Sequence, residues 1–381
     1  MCDTMDLLAW VLLLSTLLYV GAAVAFTVGI SRIRAGSGKH QPFVSVVVAA
    51  RNEEAYIGNC LQGLARQTYP KDRYEILVVN DASEDRTSDI VAGMAATCPH
   101  IRLLKVGCEF PHLAAKKRPM SLGIREARGE IILTTDADCR VPETWIAGVV
   151  ACFEPNVGMV IGFSQVKSAG CPLTVFERLQ AFDFLALMAA AAGGAGCGLP
   201  LAASGQNLAY RKACFDRVGG FRKIGHRPSG DDVLLLQLMR RECRQQIVFS
   251  ASPGTYVSTW RTETPGGFWQ QRRRWASNAA YQFWLNRPFF VYIVAVFLVN
   301  LLAPFGLIAG TMPGGRVLPL VCGCAKCLAD LALTWKGASV FGRADLMPVL
   351  PAWEMLQAPY TVLIGIAGSV SGFTWKERRH G

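Results

Sequence analysis

Charge is scarce in this sequence, and what there is does not gather. Only 18% of the 381 residues are Asp, Glu, Lys or Arg. Lys and Arg exceed Asp and Glu by 39 to 28, a net charge of +11. There is no long basic tail and no groove-like run of Arg among aromatics, so nucleic acid is discounted as a partner. The excess fits an anionic lipid surface or a phosphorylated substrate better. The thirteen cysteines lack the regular spacing of a disulfide-stapled secreted domain, which points to a reducing compartment. Cys322, Cys324 and Cys327 have no His nearby and lie in an apolar stretch. They read as small helix-packing residues rather than metal ligands. Apolar residues take the place of charge: 51% of the chain is hydrophobic and its mean hydropathy is +0.28. That is high for a soluble enzyme and implies several membrane segments beside a globular domain.

The first such segment is Leu7 to Ile30, uncharged and long enough to cross a bilayer. Asp3 and Asp6 precede it, and Arg32, Arg34, Lys39 and His40 follow, so the positive-inside rule puts its C-terminal end in the cytoplasm. A cleaved leader would have the opposite charge polarity and a shorter apolar core. Phe289 to Met312 and Pro348 to Val370 also read as spans. Val317 to Trp335 carries Lys326 and Asp330, four residues apart, which can pair on one helix face and reduce the cost of burial. Three C-terminal spans would put the basic tail Lys376-Glu377-Arg378-Arg379-His380 outside; two would keep it inside. The middle segment can be a span or re-entrant.

Between these ends the pattern alternates. Phe43 to Ala50, Tyr74 to Val79, Ile101 to Val106 and Ile131 to Thr135 have the composition of buried strands. Helical spacing follows over Glu53 to Arg66, from Glu84 onward, and over Lys116 to Arg128. This order predicts a doubly wound α/β fold around a parallel sheet, with ligands at the C-terminal strand edges. Val157 to Val166 reads as a further strand. Leu173 to Ala192 reads as an apolar helix whose Glu177, Arg178 and Asp183 suit a membrane surface, and Phe268 to Leu285 as a basic, aromatic interfacial helix. The predicted division is an anchor over 1–31, a cytoplasmic domain over 42–288, membrane segments over 289–371 and a tail over 372–381.

The strand Ile131 to Thr135 ends in Asp136-Ala137-Asp138, which places two carboxylates on one side of the strand exit. They repel each other unless a cation lies between them. A hard divalent ion carrying a diphosphate is the natural occupant, since Mg²⁺ combines one or two carboxylates with phosphate oxygens. The bland alternative is a polar turn after a core strand.

Taken together, Val48-Ala49-Ala50-Arg51-Asn52-Glu53-Glu54, Asn80-Asp81-Ala82-Ser83, Lys116-Lys117, Asp136-Ala137-Asp138, Gly230-Asp231-Asp232 and Gln271-x-x-Arg274-Trp275 form an ordered set. The set resembles the membrane-integrated branch of the family-2 glycosyltransferases, which includes cellulose, hyaluronan and poly-N-acetylglucosamine synthases and ceramide glucosyltransferase. The resemblance runs from about residue 43 to 290 and includes the flanking spans.

The resemblance implies a GT-A-type, Rossmann-like nucleotide-sugar domain with transmembrane helices on both sides. It implies a UDP-sugar donor, Mg²⁺ or Mn²⁺ as cofactor, and a cell (inner) membrane protein with its catalytic domain in the cytoplasm. Ala50, Arg51, Glu53 and Asp81 match the nucleobase edge, where Asp81 would accept from a uracil imide N–H. Lys116 matches a lysine near the phosphates, Asp136 the ribose or diphosphate, and Asp138 the metal. Asp232 matches the general base, and Asp231 stands where relatives often have Glu. Gln271, Arg274 and Trp275 match Q-x-x-R-W, with Arg274 facing the departing diphosphate and Trp275 the acceptor. Gly205, Gln206 and Asn207 fall where relatives line the acceptor site. Simpler readings exist for several of these: Asp81, Asp231 and Asp232 as helix caps, Lys116 as a solvated helix-start lysine, and the 271–275 stretch, Arg272 and Arg273 above all, as a basic face on anionic lipid. Ser121 departs from an Asn common in relatives, and the larger helix bundle that forms a polymer channel is lacking. An inverting transfer to a lipid or membrane-held glycan is therefore expected first and a short processive polysaccharide synthase second. A non-catalytic nucleotide-sugar-binding membrane subunit is the rival from another class.

Overall fold

The computed structural model describes residues 2–167, 172–260, 262, 264–311, 317–370, 373–375 and 378–380. Lys376, Glu377 and Met312 lie outside the described residues. The chain divides into two units, neither of them continuous in sequence. One is α/β, Arg32–Pro172 with Gly198–Arg261; the other is helical, Met1–Ser31, Leu173–Cys197 and Thr262–Gly381. This division differs from the continuous stretch expected over 42–288, in that residues 173–197 and those from 262 onward fall in the helical unit. The apolar helices of that unit pack on one another.

The α/β unit is built on strands β1 (Val44–Ala50), β2 (Tyr74–Asn80), β3 (Ile101–Lys105), β4 (Ile131–Thr134), β5 (Val157–Ile161), β6 (Ser164–Val166), β7 (Leu208–Arg211), β8 (Gln246–Phe249) and β9 (Val257–Thr259). The main sheet has seven strands in the order β3-β2-β1-β4-β7-β5-β8. β1 to β4 run parallel, as expected, but β7 enters antiparallel between β4 and β5. The sheet is therefore mixed rather than wholly parallel.

The single strand expected over Val157 to Val166 breaks in two, and β6 pairs with β9 in a separate ribbon. The break falls at Gly162 and Phe163. The Asn207 side chain occupies the space a Cβ on residue 162 would need, so only glycine fits at the break.

Alternation along β1 divides its side chains between two faces. Val44, Val46 and Val48 join Ile57, Leu61 and Leu64 of the Ile57–Ala65 helix and Trp145 in one core cluster. Val47 and Val79 face the Lys117–Glu126 helix at Gly123, where an added Cβ would lie 2.5 Å from Val47 Cγ1. Helices thus cover both faces, and polar residues collect at the strand ends. Ala50 is paired with Asn80, and Val47 with Thr134, so β1, β2 and β4 finish along one edge.

In the helical unit, Cys2–Ile30, Val175–Gly196, Arg287–Thr311, Val317–Phe341 and Leu350–Val370 are long helices. Among the described residues, four stretches are long and apolar enough to cross a membrane by length and composition: Leu7–Ile30, Val175–Gly196, Arg287–Ile308 and Val317–Phe341. Val175–Gly196, expected to lie along a membrane surface, is among them, while Leu350–Val370, expected to span, is not. Val175–Gly196 starts with a capping box: Thr174 Oγ1 accepts from Glu177 N at 3.4 Å, and Glu177 Oε2 accepts from Thr174 N at 2.9 Å. It approaches the first helix through Gly29, Gly193 and Gly196, at each of which a Cβ would collide with the other helix's backbone.

Val317–Phe341 is one continuous helix of 25 residues. Its Lys326 and Asp330 pair at 3.0 Å, as their spacing predicts, and Lys326 also reaches Glu354 and Gln357 while Tyr19 donates to Asp330. Cys322 is buried in a cluster with Leu12, Tyr19, Val299 and Ala303, the packing role its surroundings suggested. The basic stretch expected as one helix over Phe268 to Leu285 forms two, Pro265–Ala276 and Gln282–Leu285.

Candidate active site

The loops after β1 and β2 are stitched together. Asp81 N donates to Ala50 O at 2.9 Å, and Arg51 Nη1 donates to Asp81 O at 3.3 Å. Asn52 N donates to Ser83 Oγ at 3.1 Å, and Glu53 N to Thr87 Oγ1 at 2.7 Å. Two residues without glycine's freedom adopt left-handed backbone here, Asn52 at φ 52° and Ala82 at φ 53°. Such strain persists only where the surroundings over-determine it. Ala50, Arg51, Glu53 and Asp81 therefore form one ledge.

Two strands over, β4 releases Asp136 and Asp138. Adjacent strands lie about 4.8 Å apart, so this exit is about 10 Å from the β2 edge. Ligand atoms of Asp136, Asp138 and Cys139 all lie within 4.8 Å of one another. Burial, with the two carboxylates beside it, pushes the Cys139 thiol well above its ordinary range. A protonated thiol is a poor ligand for a hard ion. The usable set is two carboxylates, a donor chemistry that fits Mg²⁺ or Mn²⁺.

Lys116 connects this exit to the third acidic segment. Its Nζ donates to Asp136 Oδ1 and lies 3.4 Å from Asp231 Oδ2. Burial alone would lower the Lys116 pKa, but Asp136 and Asp231 together hold it above the ordinary lysine range. The solvated helix-start lysine is thereby excluded.

Asp232, next in the chain, accepts from Val233 N at 2.6 Å and from Gly205 N at 3.0 Å. It caps the Val233–Glu242 helix, as the simpler reading had it, and both oxygens keep further lone pairs for another partner. Burial raises its pKa and the Asp231 charge raises it further; the two backbone N–H groups and Lys116 offset only part of this.

Within the α/β unit, Lys116 joins Asp136 to Asp231, and Gly205 N–H joins Asp232 to the segment before β7. Asn207, expected in the acceptor lining, has its amide engaged within the framework. It is buried, its Nδ2 donates to Phe163 O at 2.9 Å and Thr255 O at 2.8 Å, and its Oδ1 accepts from Trp145 Nε1 at 2.9 Å. Its amide holds the framework. Gln206 is half-buried beside Ser204. Gln271, Arg274 and Trp275 lie on the Pro265–Ala276 helix of the helical unit.

Comparison with known proteins follows the same lines. A model described as "Glycosyl transferase family 2" matches residues 45–190, and one described as "Glycosyl transferase family group 2" matches 131–356. The chain belongs to glycosyl transferase family group 2. Among curated proteins it is similar to the probable glycosyltransferase YdaM of Bacillus subtilis (31% identical over 255 residues, 64% of this chain and 56% of the relative). It is also similar to the beta-monoglucosyldiacylglycerol synthase of Synechocystis (29% over 254 residues, 64% and 49%). The chain thus spans about half the length of these relatives. Among solved structures it resembles the mannosyltransferase PcManGT of Pyrobaculum calidifontis, determined with GDP-Man and Mn²⁺. The TM-score is 0.58 at 20% identity, covering 95% of this chain and 97% of that one, which establishes a shared GT-A fold.

Two features of this family member escaped sequence reasoning. Lys117 is buried, and its Nζ donates to Arg227 O at 2.7 Å and Ser229 O at 2.8 Å, fixing the loop that presents Asp231 and Asp232. The signal was the Lys116-Lys117 pair, since adjacent residues at a helix start point in different directions. Arg272, assigned to a lipid-facing surface, is buried instead.

Proposed function

We propose that this family member is an inverting, metal-dependent transferase that moves a sugar from a UDP-sugar to a lipid hydroxyl. The observation that carries the reading is the Lys116 bridge, which puts the Asp136 edge and the Asp231-Asp232 pair in one electrostatic unit. The similarity to a glucosyldiacylglycerol synthase and the four apolar helices support a lipid acceptor and a membrane location. Arg32, Arg34, Lys39 and His40 after the first helix support a cytoplasmic active site.

In this reading the Arg51–Asp81 ledge binds uracil, and Lys116 and Asp136 bind the ribose and diphosphate. Asp138, with Asp136, would hold Mg²⁺ or Mn²⁺, which supplies neutralisation of diphosphate charge. Asp232 takes the proton of the acceptor hydroxyl as the oxygen attacks the anomeric carbon from the face opposite the diphosphate. The new C–O bond forms as the old one breaks, UDP leaves with the bonding pair, and the proton stays on Asp232. Arg274 and Trp275 take their roles toward diphosphate and acceptor from the motif alone.

Mass spectrometry of lipid extracts from cells carrying the wild-type chain or Asp232→Asn tests this. A glycolipid absent from the variant is expected. Unchanged lipid profiles would refute the reading, and a polymer ladder from one UDP-sugar would replace single transfer by processive synthesis.

A further inference from the structure

The helix that carries Gln271, Arg274 and Trp275 also carries Arg272, which the proposed reaction does not use. Arg272 is 4% exposed and cannot shed its proton, so it is buried as a cation. Its counter-charge is Asp183 on the Val175–Gly196 helix, with Nη2 2.6 Å from Oδ2. Two groups of the Leu350–Val370 helix complete the carboxylate: Trp353 Nε1 donates to Oδ1 at 3.4 Å and the Tyr360 hydroxyl to Oδ2 at 3.5 Å. Three helices therefore meet on the Asp183 carboxylate.

The flat guanidinium also lies over rings. Its carbon is 4.2 Å from the centroid of Trp275 and 4.8 Å from that of Phe268. Trp275 meets Phe184, the neighbour of Asp183, at 5.9 Å and 38°. Asp183 and Phe184 thus grip both the cation and the indole resting on it.

Packing alone gives no reason for this arrangement, because a buried ion pair is often no more stabilising than apolar side chains of similar volume. What the pair adds is direction. Asp183 anchors the Nη2 end of the guanidinium, the Phe268 and Trp275 rings hold its plane, and an anchored plane sets the tilt of the ring stacked on it.

We propose that Asp183 and Arg272 are positioning residues for the acceptor: Asp183 orients Arg272, and Arg272 sets the angle at which the Trp275 indole meets the incoming lipid. The inference rests on the reading of Trp275 as an acceptor contact.

The test uses the full chain in nanodiscs doped with diacylglycerol, with UDP-glucose as donor, and measures KM for each substrate separately. Asp183→Asn alone leaves the arginine charge buried without its partner and can fail to fold. The informative variant is therefore Asp183→Asn combined with Arg272→Met, whose melting temperature should return to near that of wild type. The acceptor KM should rise at least tenfold while the donor KM stays within twofold. Trp275→Ala should raise the acceptor KM similarly, and adding it to the double variant should raise it no further, as residues acting through one another are not additive. An unchanged acceptor KM in a folded double variant, an equal rise in donor KM, or full additivity with Trp275→Ala would overturn the inference. If Trp275→Ala itself leaves the acceptor KM unchanged, or wild type makes no glycolipid, the reading beneath it falls as well.

Discussion

The ammonium of Lys116 lies 3.4 Å from Asp231 Oδ2 while it donates to Asp136 Oδ1. One cation thus serves carboxylates from two segments nearly a hundred residues apart in the chain, and it is largely withdrawn from solvent. Its removal leaves two acidic groups facing each other across a small space.

Lys116→Met should lower kcat/KM by about 10²–10³-fold, the usual cost of losing one preorganised charge-stabilising group. Melting temperature should change little compared with that loss. UDP release under saturating metal checks it.

Asp232→Asn should cost about 10²–10⁴-fold in kcat, the range for a general base. The wild-type pH profile carries a second expectation. A base works deprotonated, and burial and Asp231 both raise the Asp232 pKa, so activity should fall on acidification at a pH above that of an ordinary aspartate. Asp231→Asn removes one of the two raising influences and should move that acid limb to lower pH. A limb that stays put or moves upward would count against Asp232 as the base.

EDTA should abolish transfer, and Mn²⁺ or Mg²⁺ should restore it. Asp138→Asn should weaken Mn²⁺ binding about 10-fold or more, as read by the free-Mn²⁺ electron paramagnetic resonance signal. Cys139→Ser should leave Mn²⁺ affinity within about twofold, because a protonated thiol adds little to a hard-ion site.

Lys117→Met keeps the length of the side chain and loses its donors, leaving the carbonyls of Arg227 and Ser229 without that partner. The expected destabilisation is about 2–4 kcal/mol, from desolvated acceptors left unpaired. Chemical denaturation followed by circular dichroism reads it, and kcat should fall because the loop before Asp231 loses its tether.

Gly29→Leu should prevent the first helix from packing on Val175–Gly196, since even a Cβ at residue 29 collides with the Gly193 carbonyl. Yield of detergent-extracted, monodisperse protein is the measurement. Gly21→Leu, with open space around it, should be neutral by the same measure.

The parallel half of the sheet was legible because β1 to β4 are buried on both faces and read as continuous apolar runs, each closed by polar residues. β7 was not. Leu208–Arg211 is four residues long and lies beyond a 22-residue helix, so no local pattern announces that it returns antiparallel beside β4. The acidic segments were legible as motifs, and Lys116 with them. Asn207 misled because a buried amide and a ligand-binding amide have the same letter, and only the positions of Phe163, Thr255 and Trp145 tell them apart. Arg272 misled for the opposite reason. Among three consecutive arginines nothing local marks the one whose counter-charge lies 89 positions earlier, at Asp183.

Val175–Gly196 leaves the α/β unit after β6, packs with the helices, and returns the chain for β7. A ribosome therefore delivers it long before Arg287–Thr311 and the helices that follow it exist, and the sheet cannot gain its fifth neighbour until the excursion is over. For the same reason, trimming both ends will not yield a water-soluble catalytic fragment. The remnant would still carry an oily hairpin leg in its middle, bereft of company, and only an internal splice from Pro172 to Gly198 would remove it.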